Sequence, residues 1–111
     1  VTIGFASPKI RKLCNDKKIA RKKLGARQAD ILRKRLDDLI GAPNLVAMRY
    51  LAGRFHALRA DRRGQYSLDL EHPQRLIFEP ADDPLPRFAD GSVNVRAVLS
   101  VRILEIADTH G

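Results

Sequence analysis

The stretch Gln65-Tyr66-Ser67-Leu68-Asp69-Leu70-Glu71-His72-Pro73-Gln74-Arg75-Leu76-Ile77-Phe78-Glu79 decides the architecture. Tyr66, Leu68 and Leu70 alternate with Gln65, Ser67 and Asp69, a period of two that sends every second side chain to one face of a half-buried strand. Glu71-His72-Pro73 supplies turn chemistry, and Arg75 to Glu79 returns as a second strand, so the pair reads as a β-hairpin. His72 sits in that polar turn, where a histidine needs no function. Downstream, Pro80 to Gly91 holds three prolines and the acids Asp82, Asp83 and Asp90, the composition of a loop or insertion. A last strand is expected from about Val95 to Ile106. Leu99, Val101 and Ile103 share one of its faces while Leu104 and Ile106 fall on the other, which calls for a bulge near Ile103–Leu104 or for burial on both faces.

Upstream of the hairpin the period becomes helical. Ser7-Pro8 reads as a helix start, with an oxygen to accept from an early N–H and a proline suited to the first turn. Ile10, Leu13 and Cys14 follow at i, i+3, i+4, so Cys14 reads as a small core residue. Residues 17–24 are helix-prone, and Gly25 separates them from the clearest helix, at about 26–40. Its stripe of Ile31, Leu32, Leu36, Leu39 and Ile40 opposes Arg33, Lys34, Asp37 and Asp38. Gly41-Ala42-Pro43 ends it, and a short helix follows near Leu45–Leu51. Helices followed by strands make an α+β domain: N-terminal helices packed on a small twisted antiparallel sheet. Residues 1–52 are mainly helical and basic, and 53–111 form the sheet with a loop at 80–94.

At 111 residues the chain fits one domain, 1–111, and at 44% hydrophobic it can bury a core. No apolar run exceeds four residues, Leu45 to Met48, which excludes a transmembrane helix. The segment Val1 to Lys9 is too short and too weakly apolar for a signal peptide. One cysteine allows neither an internal disulfide nor a cysteine-rich zinc site. The expectation is a soluble cytoplasmic protein with no membrane partner. The formal charge of +8 is concentrated: residues 1–35 hold twelve bases against two acids, and all seven lysines lie between Lys9 and Lys34. Such a run is either a solvated helical face or the electrostatic footprint of a polyanion, and the clustering favours the polyanion.

The candidate chemistry rests on histidine and arginine. No Gly-rich phosphate loop, nucleophile elbow, His-x-x-x-His or Cys-x-x-Cys is present, so no metal or cofactor is expected. RNA strand cleavage suits the available groups. A 2′-hydroxyl must lose a proton and a 5′-oxygen must gain one; imidazoles serve either step, and an arginine steadies the phosphate. His56 precedes the first clear strand, while Asp108 and His110 lie at the chain's end.

Three short motifs in order carry a resemblance. His56-Ala57-Leu58-Arg59-Ala60-Asp61-Arg62-Arg63-Gly64-Gln65-Tyr66-Ser67 resembles the His-x-Leu-basic-Gly-Asp-x-x-Gly-x-aromatic-Ser signature of HigB-like (plasmid maintenance system killer) toxins in the RelE/ParE superfamily. Gln74-Arg75-Leu76-Ile77-Phe78 is similar to that family's aromatic-Arg-Ile/Leu-x-Phe strand. Ile106-Ala107-Asp108-Thr109-His110 is similar to its terminal Ile-x-Asp-Tyr-His. The resemblance covers roughly 53–79 and 103–111; the 80–94 loop is longer than in compact members. It implies the toxin of a type II toxin–antitoxin pair, which cleaves mRNA on the ribosome and so blocks translation. Its partners would be that mRNA and a cognate antitoxin, commonly a helix-turn-helix protein. His56, Asp108 and His110 would be the acid/base set and Arg75 the phosphate-binding cation. Arg59 and the lysines Lys17, Lys18, Lys22 and Lys23 would be RNA contacts. Two residues depart from the pattern: Thr109 replaces a tyrosine and its base stacking, and Ala60 replaces a glycine. The alternatives are a non-catalytic RNA- or ribosome-binding module, a degenerate toxin, or a gyrase-type poison on the same fold, the last disfavoured by the terminal Asp-x-His.

Overall fold

The computed structural model describes residues 1–109, and His110 lies outside them. The chain begins with a strand, β1 (Thr2–Phe5), and continues through α1 (Pro8–Asn15), α2 (Lys17–Leu24) and α3 (Ala26–Gly41). A 3-10 turn at Leu45–Tyr50 leads to β2 (His56–Ala57), β3 (Tyr66–Asp69), β4 (Gln74–Pro80) and β5 (Ser100–Asp108). The five strands form one sheet in the order β1-β5-β4-β3-β2. The α+β class and the 66–79 hairpin are as expected.

The sheet, however, is mixed and not antiparallel, because β1 pairs in parallel with β5, Thr2 opposite Ser100 through Phe5 opposite Ile103. Val1, Ile3 and Phe5 do alternate, but a run this short acquires meaning only from a partner almost a hundred residues away. The last strand also starts later than expected. Val95–Ala97 is a 3-10 turn, and Asp82 accepts from the backbone N–H of Leu99 (3.0 Å) and Ser100 (2.8 Å), fixing where β5 begins. The bulge is present: Ile77 pairs with Glu105 and Phe78 with Ile103, leaving Leu104 as the extra residue.

Local chemistry sets the helices. The Ser7 hydroxyl accepts from Ile10 N at 3.2 Å with Pro8 in the first turn, and Asp16 accepts from Lys18 N and Ile19 N at 2.9 and 3.1 Å. Caps of this kind contribute about 1 kcal/mol each. Gly25, at φ 84°, closes α2 and opens α3. α3 sinks Leu32, Leu36 and Leu39 against the sheet face that carries Leu68, Leu76, Phe78 and Ile103, with Ile10 and Cys14 of α1 joining the same core. Each such side chain contributes roughly 1.5–3 kcal/mol by leaving water. Since side chains alternate, Ser67, Asp69, Arg75 and Ile77 face the opposite way. The helices therefore cover one face of the sheet, and the other carries polar groups beside the buried Ser67 and Ile77.

Candidate active site

Hairpin register builds the site. β3 and β4 pair so that Asp69 stands opposite Arg75, and β2 pairs with β3 so that His56 stands opposite Ser67. On the other side, Arg75 pairs with Ala107 and Gln74 with Asp108, bringing the chain's end alongside. Arg75 is thus central, its side chain only 12% exposed.

Among the described residues, His56, Thr109 and Asp69 stand against its guanidinium. Nη1 lies 3.1 Å from His56 Nε2 and donates to Thr109 Oγ1 at 3.1 Å, while Nε pairs with Asp69 Oδ1 at 3.3 Å. His56 Nδ1 lies 2.9 Å from the carbonyl oxygen of Arg54, which can only accept. Nδ1 therefore carries the proton and Nε2 the lone pair, the tautomer that can take a donor hydrogen from Arg75. Ser67 Oγ is 3.4 Å from the same Nε2. A base-form nitrogen and a guanidinium consequently meet at one point on the polar face of the sheet.

The frame behind them is built from backbone. Gly53, at φ 112°, offers its carbonyl to Asp69 N at 2.6 Å, and Arg35 of α3 crosses it to donate Nε to Asp69 O at 2.8 Å. At that φ an L side chain is strained whatever the space, so the position favours glycine, and a Cβ there would also stand 2.8 Å from Arg35 Nε. Arg54 adopts φ 51°, and in that conformation its carbonyl reaches His56. Arg54 Nη1 lies 3.8 Å from Asp69 Oδ2, whereas the buried Oδ1 accepts no hydrogen bond among the described residues. Asp69 is therefore a charge partner for Arg75 more than a hydrogen-bonded one.

Of the expected site residues, the structure brings His56 and Arg75 into contact and places exposed Asp108 one register step away, opposite Gln74. Arg59 is exposed at the bend before the Ala60–Arg62 turn and outside the His56–Arg75 contact. Lys17, Lys18, Lys22 and Lys23 are exposed on α2, which packs chiefly on α1 and α3. They belong to the helical layer, and His56 and Arg75 to the opposite face of the sheet, so the structure does not join them into one surface. Sequence reasoning missed Asp69, Ser67 and the Thr109 hydroxyl. Asp69 was within reach of it: a three-residue turn at 71–73 pairs position 69 with 75. Among the described residues, no three His, Cys, Asp or Glu side chains are grouped to hold a metal, and no helix is long and apolar enough to cross a membrane.

No protein-family model matches the chain, and no curated protein matches its sequence.

Proposed function

We propose that the protein is an RNA endonuclease of the type II toxin class, acting on mRNA at the ribosome. The observation that supports this reading best is the 3.1 Å approach of Arg75 Nη1 to an imidazole nitrogen whose other ring nitrogen is pinned to a carbonyl. In the reaction, His56 Nε2 takes the proton of a ribose 2′-hydroxyl, and the 2′-oxygen attacks the adjacent phosphorus. The bond to the 5′-oxygen breaks, leaving a 2′,3′-cyclic phosphate and a 5′-hydroxyl. Arg75 shifts its donors from His56 and Thr109 to the phosphate oxygens, where charge builds in the transition state. By the sequence resemblance, Asp108 and His110 complete the proton transfers, and an antitoxin restrains the protein in the cell. The chemistry calls on no cofactor.

The test is induced expression with primer extension on a reporter mRNA, comparing wild type with His56→Ala and Arg75→Ala. New mRNA ends and growth arrest are expected from wild type, with cleavage falling about 10²–10⁴-fold in each folded variant. Undiminished cleavage by both would overturn the reading. Arrest without new ends would favour the second reading, a non-catalytic RNA- or ribosome-binding module, to which the exposed lysines of α2 lend themselves.

A further inference from the structure

Within the 80–94 segment, residues 86–94 fold back as a hairpin. Arg87 bridges Val93, Phe88 N donates to Ser92 O at 2.8 Å, and Asn94 N donates to Pro86 O at 2.8 Å. Two of the segment's three acids are spent within the protein: Asp82 holds the start of β5, and Asp90 accepts from Ser92 N and Oγ at 2.9 and 2.6 Å. Those bonds hold the Asp90 carboxyl below its usual pKa. Between this hairpin and the 57–66 segment lies a groove of about 600 Å³. Leu58, Tyr66, Leu85 and Val93 give it an apolar lining, while Arg63 and Arg87 supply cations. Neither arginine is ion-paired among the described residues; Arg87 instead donates to Gly91 O at 2.8 Å. The one carboxylate in the wall, Glu79, is neutralised by Arg102 at 3.0 Å. The groove is therefore net positive with an apolar lining; Ala57 and Tyr66 in its wall pair with each other on β2 and β3, on the face opposite His56 and Ser67.

We propose that this groove is a nucleotide-binding subsite for single-stranded RNA. The base lies against Leu58, Tyr66 and Leu85, and its phosphate meets Arg63 and Arg87. Apolar contact with a base and cationic contact with the backbone are the two elements from which single-strand recognition is built. The choice of RNA as occupant rests on the nuclease reading, but the groove's affinity for RNA can be measured without cleavage.

The experiment uses the full chain and a fluorescein-labelled 2′-O-methyl RNA octamer, which lacks the attacking hydroxyl. Fluorescence anisotropy then reports binding alone. Arg63→Ala and Arg87→Ala are each expected to weaken the octamer by about tenfold, the scale of a charge-assisted contact. Arg96→Ala, exposed and outside the groove, should leave it unchanged. Arg63 makes no ion pair among the described residues, so its variant tests the groove even if Arg87→Ala loosens the hairpin. In cleavage assays the same variants should raise KM for long RNA while sparing kcat. If His56→Ala abolishes cleavage while Arg63→Ala leaves both affinity and KM untouched, the subsite is wrong and the nuclease stands. If no RNA is cleaved by wild type but Arg63→Ala still weakens the octamer, the groove stands and the nuclease reading falls.

Discussion

Ala60 has φ 56°, the left-handed region in which an L side chain crowds its own backbone. It opens the turn Ala60–Arg62, a place that a residue without a Cβ fills without this strain. Ala60→Gly should remove a strain of roughly 1–2 kcal/mol. It also gives the unfolded chain extra freedom, which costs roughly 0.5–1 kcal/mol. The net expectation is stabilisation by about 0.5–1 kcal/mol, read as a higher urea midpoint at unchanged slope. An equal or lower midpoint would show that the turn tolerates alanine. At this scale His56 and Arg75 were legible because each is a chemically capable residue inside a recognisable pattern. Asp69 and Gly53 were not, because their roles exist only through partners. Asp69 matters because register sets it against Arg75, and Gly53 because Arg35, from another element, passes over it.

Elements held by their own chemistry were the ones the sequence revealed: α1 by Ser7-Pro8, α3 by its apolar stripe, and the β3–β4 hairpin by alternation around a turn. β1 was invisible because its parallel bonds run to β5 at the far end of the chain. The start of β5 was misplaced because Asp82, a residue of the insertion, decides it. Cys14 offers a test of how well α1 is packed. Its thiol is 6% exposed, and burial pushes its pKa from 9.0 up to about 11 despite the opposing pull of nearby Arg33. Two units mean roughly a hundredfold less thiolate than a free cysteine below pH 9, so alkylation by iodoacetamide at pH 8 should be slower by about that factor. Because the folded pKa is the raised one, folding favours the protonated thiol. That contribution is complete below pH 9 and is lost as pH rises from 9 towards 11. Urea titrations should show this loss in wild type and not in Cys14→Ala. Rapid alkylation at pH 8 would mean that α1 opens readily from the core.

Across the whole molecule, chemistry and charge occupy different layers. The imidazole and guanidinium lie on the face of the sheet away from the helices, while Lys17, Lys18, Lys22 and Lys23 lie on α2, beyond α1 and α3. If the protein is the proposed nuclease, an RNA of two or three nucleotides held at Arg75 stays on the sheet, whereas a surface as large as the ribosome meets both. The two layers should therefore separate in experiment. Replacing the four lysines with glutamine should leave cleavage of a short RNA within about twofold of wild type, since none of them contacts His56 or Arg75. Binding to ribosomes should fall, and its dependence on salt should flatten. Each single-strand phosphate contact contributes about 0.7 to the slope of log K against log salt, so losing four would lower that slope by roughly 3. An unchanged slope would make the basic helix a solvated face and leave the Arg63 and Arg87 groove as the main cationic contact. A collapse of short-RNA cleavage would instead mean that α2 and the sheet face share one substrate path, so that the layers act together.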